Sequence, residues 1–254
     1  MADEQGSPSG QRVALPRVHS DAGPCLLYLV RHGTTTMNIE NRYRGRRDIP
    51  LDAQGYQDAV DAARFLGGRG IAAVYTGPLR RTIATAQIIA DAAGVPDIRM
   101  LHGLINLDYG AWEGMTSEEA AMFDPAAFNL YRTSPLECVC PHGERLNQAQ
   151  ERMLEALRLI GGRHSGESVV AISHAVMIRL VMSSILDLPG EHWRVPLGRG
   201  SITEVVVEGG RISIGTGPGY PGSADVPSRT PPLRTTSSES TPPAGSTTSA
   251  LTSY

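Results

Sequence analysis

Four side chains far apart in the chain could together transfer a phosphoryl group: Arg31 and His32, followed at once by Gly33; Arg81; and His174. Arginine presents forked, permanently charged donors that fit phosphate oxygens. An imidazole set among such cations stays neutral, because neighbouring positive charge opposes its protonation. A neutral imidazole is a nucleophile, and phosphorus is the natural target in a site built for an anion. An Arg-His-Gly triplet can occur by chance, and a single loop histidine is more often solvated than reactive. The weight comes from where these residues stand, each just beyond an apolar run.

Leu26-Leu27-Tyr28-Leu29-Val30 runs straight into Arg31-His32-Gly33. A short continuous apolar run bounded by polar residues and glycine reads as a buried strand, here Cys25 to Val30. Strands buried on both faces belong to parallel sheets, whose ligands sit beyond the strands' carboxyl ends. A second such strand, Ile71 to Tyr75, leads through Thr76-Gly77-Pro78-Leu79 into a helix carrying Ile83, Ala86, Ile89, Ala90 and Ala93. Pro78 suits its first turn, and Arg81 falls there too. Ile98 to Leu101 reads as a short strand. Ser168 to Ile172 reads as a fourth, delivering Ser173-His174 to the start of a helix over Val176 to Leu186. Helix N-termini carry unpaired N–H groups and favour phosphate.

The remaining elements follow the same logic. A polar loop, Thr34 to Asp52, holds Arg42, Arg44, Arg46 and Arg47. Helical spacing predicts a helix from Gln54 to Leu66 ended by Gly67-Gly68, and another from Leu146 to Ile160 ended by Gly161-Gly162. Residues 116–143 read as short helices and loops interrupted by Pro125, Pro135 and Pro141, and Ile202–Val207 with Arg211–Ile214 as a hairpin. Strands alternating with helices predict a three-layer α/β/α sandwich around a mostly parallel central sheet.

The 254 residues suffice for one large domain, and the net charge of -3 argues against a nucleic-acid partner. Clustered arginines suit a small anion instead. Cys25, Cys138 and Cys140 are too few for a disulfide framework, and Cys138-Val139-Cys140 lacks zinc-ligand spacing, so no metal is expected. No apolar run reaches membrane-spanning length, and residues 1–23 hold no signal-peptide core, which predicts a cytoplasmic protein. Residues 1–23 are expected to form a flexible arm, residues 24–215 the folded domain, and residues 216–254, rich in Ser, Thr, Pro and Gly, a disordered tail.

The ordered motifs resemble the histidine phosphatase superfamily, also called the phosphoglycerate mutase-like family. Arg31-His32-Gly33 with Asn38 six residues after the histidine is similar to the family's opening motif. Gly45-Arg46-Arg47-Asp48-Ile49-Pro50-Leu51 resembles its Gly-x-x-Asp-x-Pro-Leu loop. Thr76 to Ala86 resembles its Ser-Pro-Leu-x-Arg-Ala-x-x-Thr-Ala stretch, an alignment that selects Arg81 over Arg80. Tyr109-Gly110-Ala111-Trp112-Glu113-Gly114, His142-Gly143-Glu144-Arg145 and Ile172-Ser173-His174 complete the order, and the resemblance spans about residues 25–207.

That resemblance implies a phosphomonoester hydrolase in which His32 becomes a phosphohistidine. Arg31, Arg81 and His174 would hold the phosphoryl oxygens. Asn38, Thr35 and Gly45 would lie beside the substrate, a small phosphorylated metabolite, with no metal or other cofactor. A homodimer is left open. The family often places a carboxylate, which protonates the leaving oxygen, where this chain has Asn106, and an amide cannot donate and recover a proton in that way. Three readings follow: Asp108 or Glu113 supplies the acid, the enzyme relies on good leaving groups or solvent, or the chain is a pseudophosphatase that binds phosphate ligands and turns over poorly. A phosphoglycerate mutase-type transferase is the alternative enzyme, and the short, proline-broken Met115–His142 segment favours hydrolysis. Trp112 and Trp193 read as packing residues, Glu144 as a helix cap, and the Arg42–Arg47 cluster mostly as a solvated face.

Overall fold

The computed structural model describes residues 23–188 and 190–215; the expected arm, Gly23 apart, and the expected tail lie outside the described residues. Strands β1 (Cys25–Arg31), β2 (Ile71–Thr76), β3 (Ile98–Met100), β4 (Ser168–Ser173), β5 (Ile202–Glu208) and β6 (Arg211–Ile214) form one sheet in the order β3-β2-β4-β1-β5-β6. The first four are mutually parallel where they pair, and β5 and β6 add an antiparallel hairpin at one edge. Helices are α1 (Thr36–Ile39), α2 (Ala53–Leu66), α3 (Arg80–Ala93), α4 (Ser117–Phe123), α5 (Pro125–Thr133), α6 (Leu146–Arg163) and α7 (Ala175–Leu186).

Strand alternation sorts the layers. Tyr28, Val30, Val74, Val170, Ile172 and Ile202 point to one face and share a buried cluster with Ala62, Ala63 and Leu66 of α2 and Ala86, Ile89 and Ala90 of α3. The opposite face, with buried Leu27, Leu29, Val205 and Val207, carries α6, whose Gly161 lies against Val207. The architecture is the α/β/α sandwich with a mostly parallel sheet.

Strand order is what assembles the candidate site. β4 lies between β2 and β1, so the ends of three strands distant in sequence are side by side. Arg31 pairs in register with Ser173, and the His32 amide donates to the Ser173 carbonyl at 3.1 Å. The chain then leaves β1 across α2 at a backbone contact only glycine permits. A Cβ on Gly33 would stand 2.1 Å from the Gly55 carbonyl oxygen, and one on Gly55 would stand 2.1 Å from that of Thr34.

Several elements depart from the sequence reading, each for a local reason. The Thr34–Asp52 loop contains α1. Pro78 lies outside α3, which begins at Arg80 after Leu79 at the N-cap. Pro125 opens α5 rather than breaking a helix, with Asp124 accepting from the Ala127 amide. Gly161 and Gly162 do not end α6, which continues to Arg163. Gly161 is a packing contact there, because its Cβ would sit 2.3 Å from Val207 Cγ1. Glu144 caps nothing; Arg145 is the N-cap of α6, and Glu144 pairs with Arg152 at 2.7 Å.

Gly55 lies in the first turn of α2, where alanine would be the better helix former by about 1 kcal/mol. Gly55→Ala is nevertheless expected to destabilise the protein by about 1–3 kcal/mol in urea unfolding, because the Thr34 backbone must move. A neutral or stabilising effect would show that this backbone contact is not a constraint.

Candidate active site

His32 follows the carboxyl end of β1, is almost fully buried and lines a cleft of about 730 Å³. Its Nδ1 lies 2.6 Å from the Gly33 carbonyl oxygen. A carbonyl only accepts, so Nδ1 carries the proton and Nε2 keeps its lone pair. Burial first, then the charges of Arg81, Arg44 and Arg31, hold the ring's pKa well below 6.5. The second ring, His174, is the N-cap of α7 and meets His32 edge-on at 5.1 Å between centroids. Burial and then Arg81 depress its pKa likewise, and neither of its nitrogens makes a hydrogen bond within the described protein.

Arg31 and Arg81 are fixed by backbone carbonyls rather than by acids. Arg31 donates through Nη1 to Leu197 O, and Arg81 donates to Arg47 O at 2.7 Å and Gly45 O at 2.9 Å. In each the Nε–H is buried without a partner. Desolvation and neighbouring arginines lower Arg31 to about 9 and Arg81 to about 10, so both stay cationic at neutral pH. Arg81 lies beneath the cleft floor rather than on its lining, and its charge is the largest acting on both rings.

The arginine-rich loop divides into two kinds of residue. Arg42 is matched by Glu40 and Glu119, Arg46 by Asp108 and Glu144, and Arg47 by Glu113. Arg44 alone enters the cleft without an ion pair among the described residues, and its Nε–H is buried and unpartnered. Arg179, Arg194 and Arg199 reach the same cleft, also without ion pairs among the described residues. These three escape a reading by motif. Arg179 does leave one trace, as the sole charge in the otherwise apolar α7 sequence Ala-Val-Met-Ile-Arg-Leu-Val-Met-Ser-Ser-Ile-Leu.

The expected site residues separate on the same evidence. Asn38 lines the cleft, with its Oδ1 accepting from the Thr35 amide and hydroxyl at 3.0 and 2.9 Å, which leaves the Nδ2 donors for a ligand. Thr35 and Gly45 do not line it, contrary to their expected contact with substrate. Thr35 orients Asn38, while the Gly45 carbonyl receives both Arg81 and Asn106. Asn106 is on the cleft floor; its Nδ2 donates to Gly45 O at 2.9 Å, and its Oδ1 is buried without a donor. Asp108 and Glu113 lie off the cleft lining. Asp108 accepts from the Gly110 amide and Arg46, and Glu113 from the Arg46 amide at 2.7 Å. The carboxylates that line the cleft are Glu40 and Glu118, both exposed at its mouth. Trp112 and Trp193 are fully buried around Tyr131, as expected of packing residues. Among the described residues no group of His, Cys, Asp and Glu could hold a metal ion.

Comparison with known proteins matches the histidine phosphatase superfamily (branch 1) over residues 27–216. Phosphoserine phosphatase 1 of Hydrogenobacter thermophilus is 32% identical over 162 residues, 64% of this chain and 76% of that protein. The bifunctional protein Rv2228c of Mycobacterium tuberculosis is 33% identical over 165 residues, 65% of this chain, which spans only 45% of that relative's length. Among solved structures, Bacillus stearothermophilus YhfR superposes with a TM-score of 0.69 at 35% identity, covering 75% of this chain and 95% of that one.

The two buried rings make stability depend on pH in a definite direction. Unfolded, they take up protons as pH falls through 6.5; folded, they resist until well below it. Their contribution is therefore complete above 6.5 and lost as pH falls, by up to about 1.4 kcal/mol per pH unit for each ring. Urea unfolding between pH 7 and 5 is expected to show this loss, with a shallower slope in His174→Asn. An unchanged slope in that variant would mean that His174 is not held neutral.

Proposed function

Because the chain belongs to the histidine phosphatase superfamily, we propose that it hydrolyses phosphomonoesters through a phosphohistidine formed on His32. One observation carries this reading: His32 Nδ1 is committed to the Gly33 carbonyl, so the free Nε2 lone pair belongs to a neutral ring in a cationic cleft. Nε2 attacks phosphorus, and the Gly33 carbonyl stabilises the charge the ring acquires. Arg31, His174 and Asn38 bind the phosphoryl oxygens, and Arg81 supplies positive charge from below. Water then attacks the phosphohistidine and returns the lone pair to Nε2. The exposed residues at the cleft mouth, among them Glu118 and Arg194, support access of water and so hydrolysis over mutase-type transfer.

Asn106 supports a second feature, slow turnover of esters whose alcohol needs a proton to leave. With Asp108 and Glu113 engaged off the cleft, no buried side chain lining it among the described residues has a carboxylic proton to give. The protein therefore stands between a full phosphatase and a binding module, and the leaving group decides which behaviour appears.

Incubation with p-nitrophenyl phosphate and rapid quenching is expected to trap an acid-labile, base-stable phosphoenzyme that His32→Ala lacks. A stable phosphoenzyme in that variant would remove His32 from the nucleophile role. Asn106→Glu is expected to raise kcat/KM for an alkyl phosphate by about 100-fold, the lower end of the range for general acid catalysis, with little gain on p-nitrophenyl phosphate. An equal gain on both would mean that leaving-group protonation is not what Asn106 withholds.

A further inference from the structure

We infer that the preferred substrates are phosphoanhydrides with a terminal diphosphate, whose leaving group is itself a phosphate held by Arg44 and its neighbours. This rests on the phosphohistidine reading above and adds the class of bond broken. Two independent features of the cleft meet in it, one chemical and one electrostatic.

The first is the absence of an acid on the cleft floor. Among the described residues, Arg31, His32, Asn38, Asn106 and His174 are the buried polar side chains that line the cleft besides the phenols of Tyr109 and Tyr131, and none is a carboxylic acid. Both rings are neutral, the charges bearing on them most strongly are arginines, and Arg31 and Arg81 remain protonated at neutral pH. An alkoxide is roughly as basic as hydroxide, the conjugate of water with its pKa of about 15.7, and leaves badly without a proton. A phosphate, whose second pKa is about 6, leaves as a stable anion unaided.

The second is positive charge beyond what one phosphoryl group requires. Arg44, Arg179, Arg194 and Arg199 line the cleft with no ion pair among the described residues. Arg44 is the telling member: its neighbours Arg42, Arg46 and Arg47 are each matched to acids, while Arg44 is half-buried on the cleft lining with a buried, unpartnered Nε–H. Taking even part of an unmatched guanidinium out of water is costly unless an anion meets it. Arg31 feels Arg44, Arg179 and Arg199 together, so this second group of cations lies within electrostatic reach of the residue proposed to bind the transferred phosphoryl group. A leaving phosphate joined to that group through one bridging oxygen spans the same short range.

The bonds balance without an added co-reactant. The Nε2 lone pair of His32 forms the N–P bond, the bridging P–O bond breaks, and its electron pair stays on the oxygen of the departing phosphate. Water then bonds to phosphorus, the N–P pair returns to Nε2, and both water protons leave with the released orthophosphate. The proton stays on Nδ1 throughout, donated in a hydrogen bond to the Gly33 carbonyl.

The test measures kcat/KM of the full chain for ADP, inorganic pyrophosphate, acetyl phosphate, glycerol phosphate and p-nitrophenyl phosphate, in wild type, Arg44→Ala and His32→Ala. ADP or pyrophosphate is expected to exceed glycerol phosphate by roughly 100-fold or more, the range associated with a general acid. Arg44→Ala is expected to lower the ratio of diphosphate to p-nitrophenyl phosphate kcat/KM by about tenfold, as for a lost charge-assisted hydrogen bond. His32-dependent turnover of p-nitrophenyl phosphate with glycerol phosphate matching the diphosphates would overturn this inference and leave the phosphohistidine reading standing. So would a preference for acetyl phosphate over both diphosphates, or an unchanged ratio in Arg44→Ala. Turnover that persists in His32→Ala would overturn both.

Discussion

Positive charge gathered in a desolvated cleft, with no acid on its floor to balance it, is the constraint on which the rest of the site depends. Arginines at the end of β1, in the first turn of α3 and on the loop before α2 act on the buried imidazoles. Their field and their burial keep both rings neutral. A neutral ring with one nitrogen tied to a backbone carbonyl has a definite tautomer, so the same electrostatics that attract an anion also prepare the nucleophile.

The fold holds these like charges together by carbonyl groups. Arg31 and Arg81 are gripped by Leu197, Arg47 and Gly45, and Asn106 shares the Gly45 carbonyl with Arg81. Arg152 does similar work one layer out. Its guanidinium donates to the carbonyls of Gly103, Ile105 and Asn106 while pairing with Glu144, which fixes the segment that presents the Asn106 side chain. Carbonyl dipoles orient a guanidinium without neutralising it, whereas a carboxylate would cancel the field the cleft needs. The acids of this region, Asp108, Glu113 and Glu144, are spent instead on Arg46, Arg47 and Arg152, away from the reacting position.

Asn106 fits the floor of the cleft through packing and one hydrogen bond, not through acid chemistry. Its amide satisfies the Gly45 carbonyl, so the loop keeps its packing, but it has no proton to lend.

The candidate cluster was legible in the sequence because it hangs on local signals. Apolar runs end in Arg31-His32 and Ser173-His174, and Arg81 falls in the first turn after another run, while the adjacency of β2, β4 and β1 was settled by the strand order of the sheet. The main elements followed from the same patterns, while Gly161 misled because a glycine that ends a helix and one that lets a strand approach look alike in one dimension. Which arginine of Arg42, Arg44, Arg46 and Arg47 faces the cleft without an ion pair was beyond the sequence. The answer depends on Glu119, Asp108, Glu144 and Glu113, residues remote in the chain that claim three of the four. Tertiary structure likewise decided that Asp108 and Glu113 pair off the cleft lining and that Thr35 and Gly45 hydrogen-bond to Asn38, Arg81 and Asn106. Strand ends are dictated by short stretches of chain, but the pairing of charges is settled only where distant segments compete for the same partner.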